Sequence, residues 1–346
     1  MNSAASTWLP VSQVISRNLS VFEASSSLLV VNAPEIGVWQ QWSADTVLHF
    51  FSQDFRVHSE LRLAGFQSHF AAVVNELPDN ADVLLYWPKS KELARMLLSM
   101  LLSHMETGRQ LWIVGEHQEG VKSAAKILLE DHEIELSKLD NARRCTLYRV
   151  TVDRAFPVFD IETWLHYSSV VLDDTELQVV SLPGVFSLGE LDEGTALLLP
   201  NMKLPEQGRV LDFGCGAGII GAVAKRRNPQ LDVELIDVSA LALESAKRTL
   251  AQNGIEALVY PSNAWSDIEG RFKVVLSNPP FHTGIKTDYR AVTELIAQAR
   301  KKIVYDGWLE VVANAHLPYE GWLQEQFKRV AVVAETTKFK VYSARG

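Results

Sequence analysis

Cysteine is nearly absent from this 346-residue chain, where Cys145 and Cys215 stand alone. That excludes a disulfide framework and a cysteine-rich zinc cluster, and it makes the reducing cytoplasm the expected compartment. Long apolar runs are missing as well. No stretch reaches the roughly 18 residues a membrane span requires, and the opening MNSAASTWLP has no basic segment leading into an apolar one, so neither a spanning helix nor a secretory leader is expected. Positive charge is also in deficit. The formal net charge of −9 argues against a simple basic nucleic-acid binder, but the balance is uneven: −4 over residues 1–150, −8 over 151–200 and +3 over 201–346. The last section carries the clusters Lys225-Arg226-Arg227 and Arg300-Lys301-Lys302, each of which reads by itself as a solvated helix end.

What is present is a globular composition, 47% hydrophobic and 22% charged, at a length that suits two domains of about 150–200 residues. Residues 208–346 alternate strand-like runs with helical stretches: Arg209–Asp212, Val233–Asp237, Lys273–Leu276 and Trp308–Val312. This is the pattern of a parallel sheet wound with helices. Ser239 is placed to cap a helix whose Leu243, Ala246 and Leu250 share a face, with Gly254 at its end. Arg329–Ala334 and Phe339–Ser343 flank a turn and predict an antiparallel C-terminal hairpin. The first half repeats the order in weaker form, with strands at Ser27–Val31, Thr46–Phe51, Asp82–Tyr86 and Leu111–Val114. A helix near Val121–Leu129 follows, and then a hairpin from Glu133–Leu136 and Thr146–Val150. Tyr86-Trp87-Pro88 falls where Asn278-Pro279-Pro280 falls. The pattern predicts an internal duplication whose first copy keeps the scaffold and lacks the site, since Asn32-Ala33-Pro34-Glu35-Ile36-Gly37 has one glycine at the corresponding turn. The expected domains are 1–155 and 156–346, with 151–200 read as a linker plus a covering segment.

The second-half turn, Asp212-Phe213-Gly214-Cys215-Gly216-Ala217-Gly218-Ile219-Ile220-Gly221, is a strand end, a glycine-rich loop and a helix start. Glycine lets backbone turn sharply and approach a ligand where a Cβ would collide. Two ligands compete. Gly216-x-Gly218-x-x-Gly221, with Asp237 some 20 residues on, matches a dinucleotide fingerprint. Against it, Asp212 precedes the loop, and its carboxylate would repel a diphosphate but attract the ammonium and sulfonium of an S-adenosyl ligand. Asp237 can accept from ribose hydroxyls in either case, or it can simply cap a helix. Cys215, without an evident base, reads as a small space-filling residue and not as a nucleophile.

Ser277-Asn278-Pro279-Pro280-Phe281 closes a strand with a primary amide, a rigid elbow and an aromatic ring. Ligands of open α/β sheets bind beyond the carboxyl ends of the strands, which puts Asn278 in the same crevice as Asp212 and Asp237. There the Asn278 side-chain oxygen and the Pro279 carbonyl are two acceptors for the two hydrogens of an exocyclic amino group. Phe281 would stack on the base, which must be unpaired or flipped out to enter. Asn263, after the third strand, is expected to border the adenine; a plain surface turn is the competing reading.

Taken with Pro183-Gly184-Val185-Phe186-Ser187, Asp237-Val238-Ser239, Ser262-Asn263, His282, Val312-Ala313-Asn314-Ala315 and Phe339-Lys340-Val341-Tyr342, these motifs resemble the ribosomal RNA small subunit methyltransferase C family over the whole chain. The resemblance implies two tandem class I, Rossmann-like methyltransferase domains with seven-stranded, mostly parallel sheets, the first degenerate. It implies S-adenosylmethionine-dependent methylation of N2 of a specific 16S rRNA guanosine presented by the 30S subunit, by a monomer that uses no metal. The site it implies has Asn278, Pro279, Pro280 and Phe281 at the reacting group. The cofactor is assigned to Asp212, Gly214, Gly216, Gly218, Asp237, Val238, Asn263 and Ala264, and Phe186, Ser187 and His282 to the substrate side. Related Asn-Pro-Pro enzymes act on DNA adenine or protein glutamine, so other amino acceptors stay open, as does a non-enzymatic RNA-binding role.

Overall fold

The structure is a computed structural model that describes residues 8–172, 175–186, 190–279 and 286–346. Two compact units divide between Trp164 and Leu165, later in the chain than the expected 155/156 boundary. The reason lies in residues 154–156: Arg154 donates to the His132 carbonyl oxygen at 2.5 Å, and Phe156 meets the His132 ring edge-on at 5.9 Å. The chain is thus still anchored to the first unit beyond residue 155.

The first unit opens with α1 (Pro10–Arg17) and builds its sheet from β1 (Ser27–Val31), β2 (Val47–Ser52), β3 (Gln67–Phe70), β4 (Ala81–Tyr86), β5 (Gln110–Glu116), β6 (Ser137–Ala142) and β7 (Cys145–Thr151). Between strands lie α2 (Phe55–Leu63), α3 (Lys91–His104) and α4 (Ala124–His132). The strand order is β3-β2-β1-β4-β5-β7-β6. All pairings are parallel except those of β7, which runs antiparallel to β5 and β6. Every residue of β1 and β4 is buried, as helices on both faces of a parallel sheet demand. One expectation is corrected here and one strand is added. Glu133–Leu136 is no strand: Glu133 adopts φ +54° to end α4, and the Ile134 N–H returns to the Leu128 carbonyl, so this run terminates a helix and the hairpin begins at Ser137. The edge strand β3, Gln67-Ser68-His69-Phe70, had no apolar run to announce it.

The second unit begins with a separate hairpin, β8 (His166–Leu172) and β9 (Thr175–Ser181). It lies on α7 (Ala240–Gln252): the Val180 and Leu182 N–H groups donate to Thr249 Oγ1 and Ser245 Oγ, each at 3.0 Å. Then come α5 (Glu193–Asn201), β10 (Gly208–Phe213), α6 (Ile219–Arg227), β11 (Leu231–Asp237), β12 (Leu258–Pro261), β13 (Phe272–Ser277), α8 (Lys286–Lys302), β14 (Ile303–Asn314), α9 (Tyr319–Gln326), β15 (Arg329–Glu335) and β16 (Phe339–Arg345). Their order, β12-β11-β10-β13-β14-β16-β15, repeats that of the first unit strand for strand, with β16 again antiparallel to both neighbours. The expected tandem α/β architecture with seven-stranded mixed sheets is what the chain adopts. A core of Phe213, Trp265, Phe272, Tyr319 and Tyr342 fills one face of the second sheet. No helix among the described residues is long and apolar enough to cross a membrane.

Candidate active site

Adjacent strands bring the candidate residues together. β10 lies between β11 and β13, with Phe213 opposite Ile236 on one side and Ser277 on the other. The carboxyl ends of these three strands carry Asp212, Asp237 and Asn278. Ser277 fastens the mouth by donating through Oγ to the Phe213 carbonyl at 2.8 Å.

The glycine loop is stitched to β11. The Gly214 and Cys215 N–H groups both donate to the Ile236 carbonyl, at 3.0 and 2.9 Å, and Gly216 N–H donates to Asp237 Oδ2 at 3.0 Å. Gly214, Gly216 and Gly218 sit at φ +71°, +53° and +80°, the left-handed region that a side chain disfavours. Their surroundings separate two roles. A Cβ on Gly214 or Gly216 would meet nothing within 4 Å, whereas one on Gly218 would lie 2.9 Å from Ala246 Cβ and one on Gly221 2.7 Å from Leu235 Cγ. Gly218 and Gly221 therefore seat α6 on the sheet. Gly214 and Gly216 leave bare backbone facing open space, a cradle that fits the methionine tail of an S-adenosyl ligand.

Asp212 is fully buried. Its Oδ2 accepts from Gly221 N–H at 2.8 Å, and its Oδ1 has no partner among the described residues. Burial pushes its pKa up to about 7; the Gly221 bond opposes the rise and the nearby Asp237 adds to it. An enclosed carboxylate acts on a ligand through its charge and through the loop it fastens. Half-buried Asp237 accepts from Gly216 N–H and, at 2.9 Å, from Ser239 N–H. Val238 beside it is 36% exposed and offers an apolar face. Asn263 and Ala264 are exposed at the end of β12, in a loop held by Ser262 Oγ to the Ala264 carbonyl at 2.8 Å and by Asn263 N–H to Asp267 Oδ2 at 3.2 Å. Trp265 anchors that loop against Phe213, ring centroids 4.7 Å apart. Cys215 is buried, and burial drives its thiol well above the usual range, which suits a space-filling residue. Among the described residues no group of three His, Cys, Asp or Glu side chains is placed to hold a metal ion.

Asn278 is half-buried and Pro279 buried. The Asn278 amide nitrogen donates to Asp192 Oδ2 at 2.6 Å and to Thr195 Oγ1 at 2.9 Å. Both partners belong to the start of α5, in the segment whose pattern suggested only a cover. Their signal is local: Asp192-x-x-Thr195 ahead of an apolar run is a helix-capping pattern, and the Thr195 N–H does donate to Asp192 Oδ2 at 2.9 Å. Phe186 is exposed. Ser187, Pro280, Phe281 and His282 fall outside the described residues.

The first unit allows a residue-by-residue contrast. Asn32 N–H donates to the Phe51 carbonyl as Gly214 does to Ile236, which sets Val30 in the place of Asp212 and Ser52 in that of Asp237. Val31 faces Leu85 as Phe213 faces Ser277, so Tyr86 replaces Asn278. Where the second unit has an open cradle, the Asn32 amide is locked to Gln53 in both directions at 2.9 Å. Glu35 accepts from Leu9 N–H at 2.7 Å, and Tyr86 and Trp87 are buried.

Comparison with known proteins places these units in context. Residues 12–167 match the family described as Methyltransferase small domain N-terminal, and 176–343 that described as Methyltransferase small domain. Ribosomal RNA small subunit methyltransferase C of Pasteurella multocida is 42% identical over 97% of this chain and 98% of its own. The Aeromonas hydrophila protein of that description is 40% identical with the same coverage. A solved structure of the T. thermophilus 16S rRNA N2 G1207 methyltransferase, in complex with AdoMet and guanosine, superposes with a TM-score of 0.82 over 98% of this chain and 92% of that one at 18% identity, and so shares the fold.

Proposed function

The chain belongs to the ribosomal RNA small subunit methyltransferase C family, and from that premise we propose that it methylates the exocyclic N2 of one guanosine of 16S rRNA. The guanosine is the one for which the T. thermophilus protein is described, G1207, presented by the assembled small subunit to a monomeric cytoplasmic enzyme. The observation that carries this reading is the Asn278 side chain. Both of its amide hydrogens are taken by Asp192 and Thr195, so its oxygen is left as an acceptor at the mouth of the crevice.

When bound, S-adenosylmethionine supplies a methyl group already activated on sulfur; transfer exchanges a C–S for a C–N bond and releases one amino proton. The chain's residues supply position. Gly214 and Gly216 cradle the cofactor tail, Asp237 accepts from its ribose, Val238, Asn263 and Ala264 border its adenine, and the buried charge of Asp212 favours a cation over a diphosphate. Asn278 Oδ1 and the Pro279 carbonyl accept the two amino hydrogens and turn the nitrogen lone pair toward the donor. Orientation of this kind is worth roughly 7–11 kcal/mol of barrier in favourable cases. Phe281 is assigned the base face, a contact typically worth about 1–3 kcal/mol. A base within a duplex has no path to such a crevice, so the guanosine enters unpaired or flipped out.

Two measurements test the reading together. Titration calorimetry should show binding of S-adenosylmethionine and none of a nicotinamide dinucleotide. Labelled methyl should then pass to assembled small subunits in preference to deproteinised rRNA, DNA or protein. Dinucleotide binding, or transfer to DNA or protein in place of rRNA, would contradict it.

A further inference from the structure

The Asn278 amide is held from behind by one turn of helix. Asp192 Oδ2 accepts at once from the Thr195 backbone N–H at 2.9 Å and from Asn278 Nδ2 at 2.6 Å, while the buried Thr195 hydroxyl oxygen takes the other Nδ2 hydrogen at 2.9 Å. A primary amide has two N–H donors, and both are used. Rotating the amide by half a turn would set its oxygen against an oxygen of a carboxylate, a group with no hydrogen to offer. The side chain therefore has a single orientation, with Oδ1 directed away from α5. Of the two residues between the acceptors, Glu193 and Gly194, the second is one where a Cβ would come within 3.0 Å of Asp192 Oδ2 and 3.4 Å of Phe339 Cδ1 and Val312 Cγ2. Helix α5 packs on β14 and β16, so the carboxylate is carried on an element braced by the same sheet that carries Asn278.

We infer that Asp192 and Thr195 are positioning residues for methyl transfer, fixing the Asn278 oxygen toward the acceptor amine before the substrate arrives. What the oxygen meets rests on the function proposed above; the orientation of the amide does not. A helix cap with no further role would need the Asp192–Thr195 backbone bond alone. The second bond, to a residue 86 positions away, is what the proposal explains.

The test uses the full-length protein. Asp192→Ser preserves a good N-cap but is too short to reach Asn278, Asp192→Asn retains an oxygen able to accept both bonds, and Thr195→Val removes one acceptor without touching the cap. With labelled S-adenosylmethionine and small subunits, Asp192→Ser should lower kcat about 10- to 100-fold, the scale of a misplaced reacting group. The cofactor Kd should stay within about twofold, and Asp192→Asn should recover most of the rate. In an Asn278→Ala background, Asp192→Ser should cost nothing more in single-turnover rate. Nitrogen-15 asparagine labelling provides a readout that needs no substrate. The Asn278 side-chain amide, identified by its absence in Asn278→Ala, should be protected from exchange in the wild type and unprotected in Asp192→Ser. An unchanged kcat in folded Asp192→Ser, an equal loss in the Asn278→Ala background, or an Asn278 amide unprotected in the wild type would overturn the proposal. Should Asp192→Ser fail to fold, Thr195→Val carries the same comparisons. A wild-type enzyme that modifies no rRNA guanosine would sink the functional reading while leaving the amide signature to decide the positioning.

Discussion

Asn278 and Asp237 lie at the ends of different strands, and the proposed roles assign them to different halves of the reaction, so their substitutions should separate cleanly. Asn278→Ala is expected to remove nearly all turnover while leaving cofactor affinity within a few fold; a matching loss of S-adenosylmethionine binding by calorimetry would show the amide to be part of the donor site. Asp237→Ala should weaken the cofactor by about 1.5–3 kcal/mol, the scale of a hydrogen bond to a charged group, since the loop bond to Gly216 goes with the ribose bond. Unchanged affinity would remove Asp237 from the site. Asp212 makes a prediction in pH. Burial raises its folded pKa to about 7, whereas the unfolded chain ionises near 4, so folding takes up a proton between those values. The contribution of Asp212 to the stability of the cofactor-free protein should therefore fall as pH rises from about 4 through about 7 and level off about one unit above. Cofactor affinity should rise over the upper part of that window as the carboxylate becomes charged. Buried Glu310, also raised to about 7 by burial, has the same sign, so Asp212→Asn should reduce the slope of stability without abolishing it. Thermal melts and titrations at pH 5, 6, 7 and 8 measure both, and a stability that climbs with pH in the wild type beyond that of Asp212→Asn would reverse the assignment.

At the scale of elements, the glycine loop and the helix it starts are two devices written in one motif. Gly221→Ala would press a methyl onto Leu235, an overpacking that should cost about 1–3 kcal/mol of stability, with cofactor affinity affected only as far as α6 shifts. Gly216→Ala should cost about 1 kcal/mol through its left-handed φ and weaken cofactor binding much more, because its methyl would occupy the open side of the cradle. Melting temperature set against Kd for the two variants checks the separation, and a Gly216→Ala that binds normally would fill the cradle with something other than ligand. The strands that place these residues were legible because each holds buried apolar residues at its centre, Val210-Leu211 in β10, Val233 with Leu235-Ile236 in β11 and Val274-Val275-Leu276 in β13, and Ser239 and Gly254 bracket α7 as their residue types suggest. The edge strands β3 and β6 were not. Gln67-Ser68-His69-Phe70 and Ser137-Lys138-Leu139-Asp140-Asn141-Ala142 face solvent along one edge, and register with a neighbour, not hydrophobic pattern, makes them strands. Helix α5 was hidden differently: its nine residues follow an acidic, turn-like stretch, and the meaning of Asp192 and Thr195 lies in contact with Asn278, far away in sequence.

The whole molecule is one topology used twice, and the two copies differ at the positions to which the proposed site is assigned. Val30 and Ser52 replace both carboxylates, Tyr86 replaces the amide, and Asn32 with Gln53 closes the space that Gly214 and Gly216 leave open. The duplication itself was readable from the order of strand-like runs; the single glycine of the first copy is the ground for expecting no cofactor there, and the residues that stand at the corresponding positions required the register. Full-length protein is accordingly expected to bind one S-adenosylmethionine per chain by calorimetry, and a stoichiometry of two would restore a site to the first unit. The central claim, that the second crevice presents a guanine amino group to an activated methyl, is tested most directly by the identity of the product. Small subunits lacking the modification should be incubated with the enzyme and labelled S-adenosylmethionine, and their 16S rRNA digested to nucleosides for mass spectrometry. The account predicts label in N2-methylguanosine from a single position, lost with Asn278→Ala; label in any other nucleoside, or undiminished label in that variant, would contradict it.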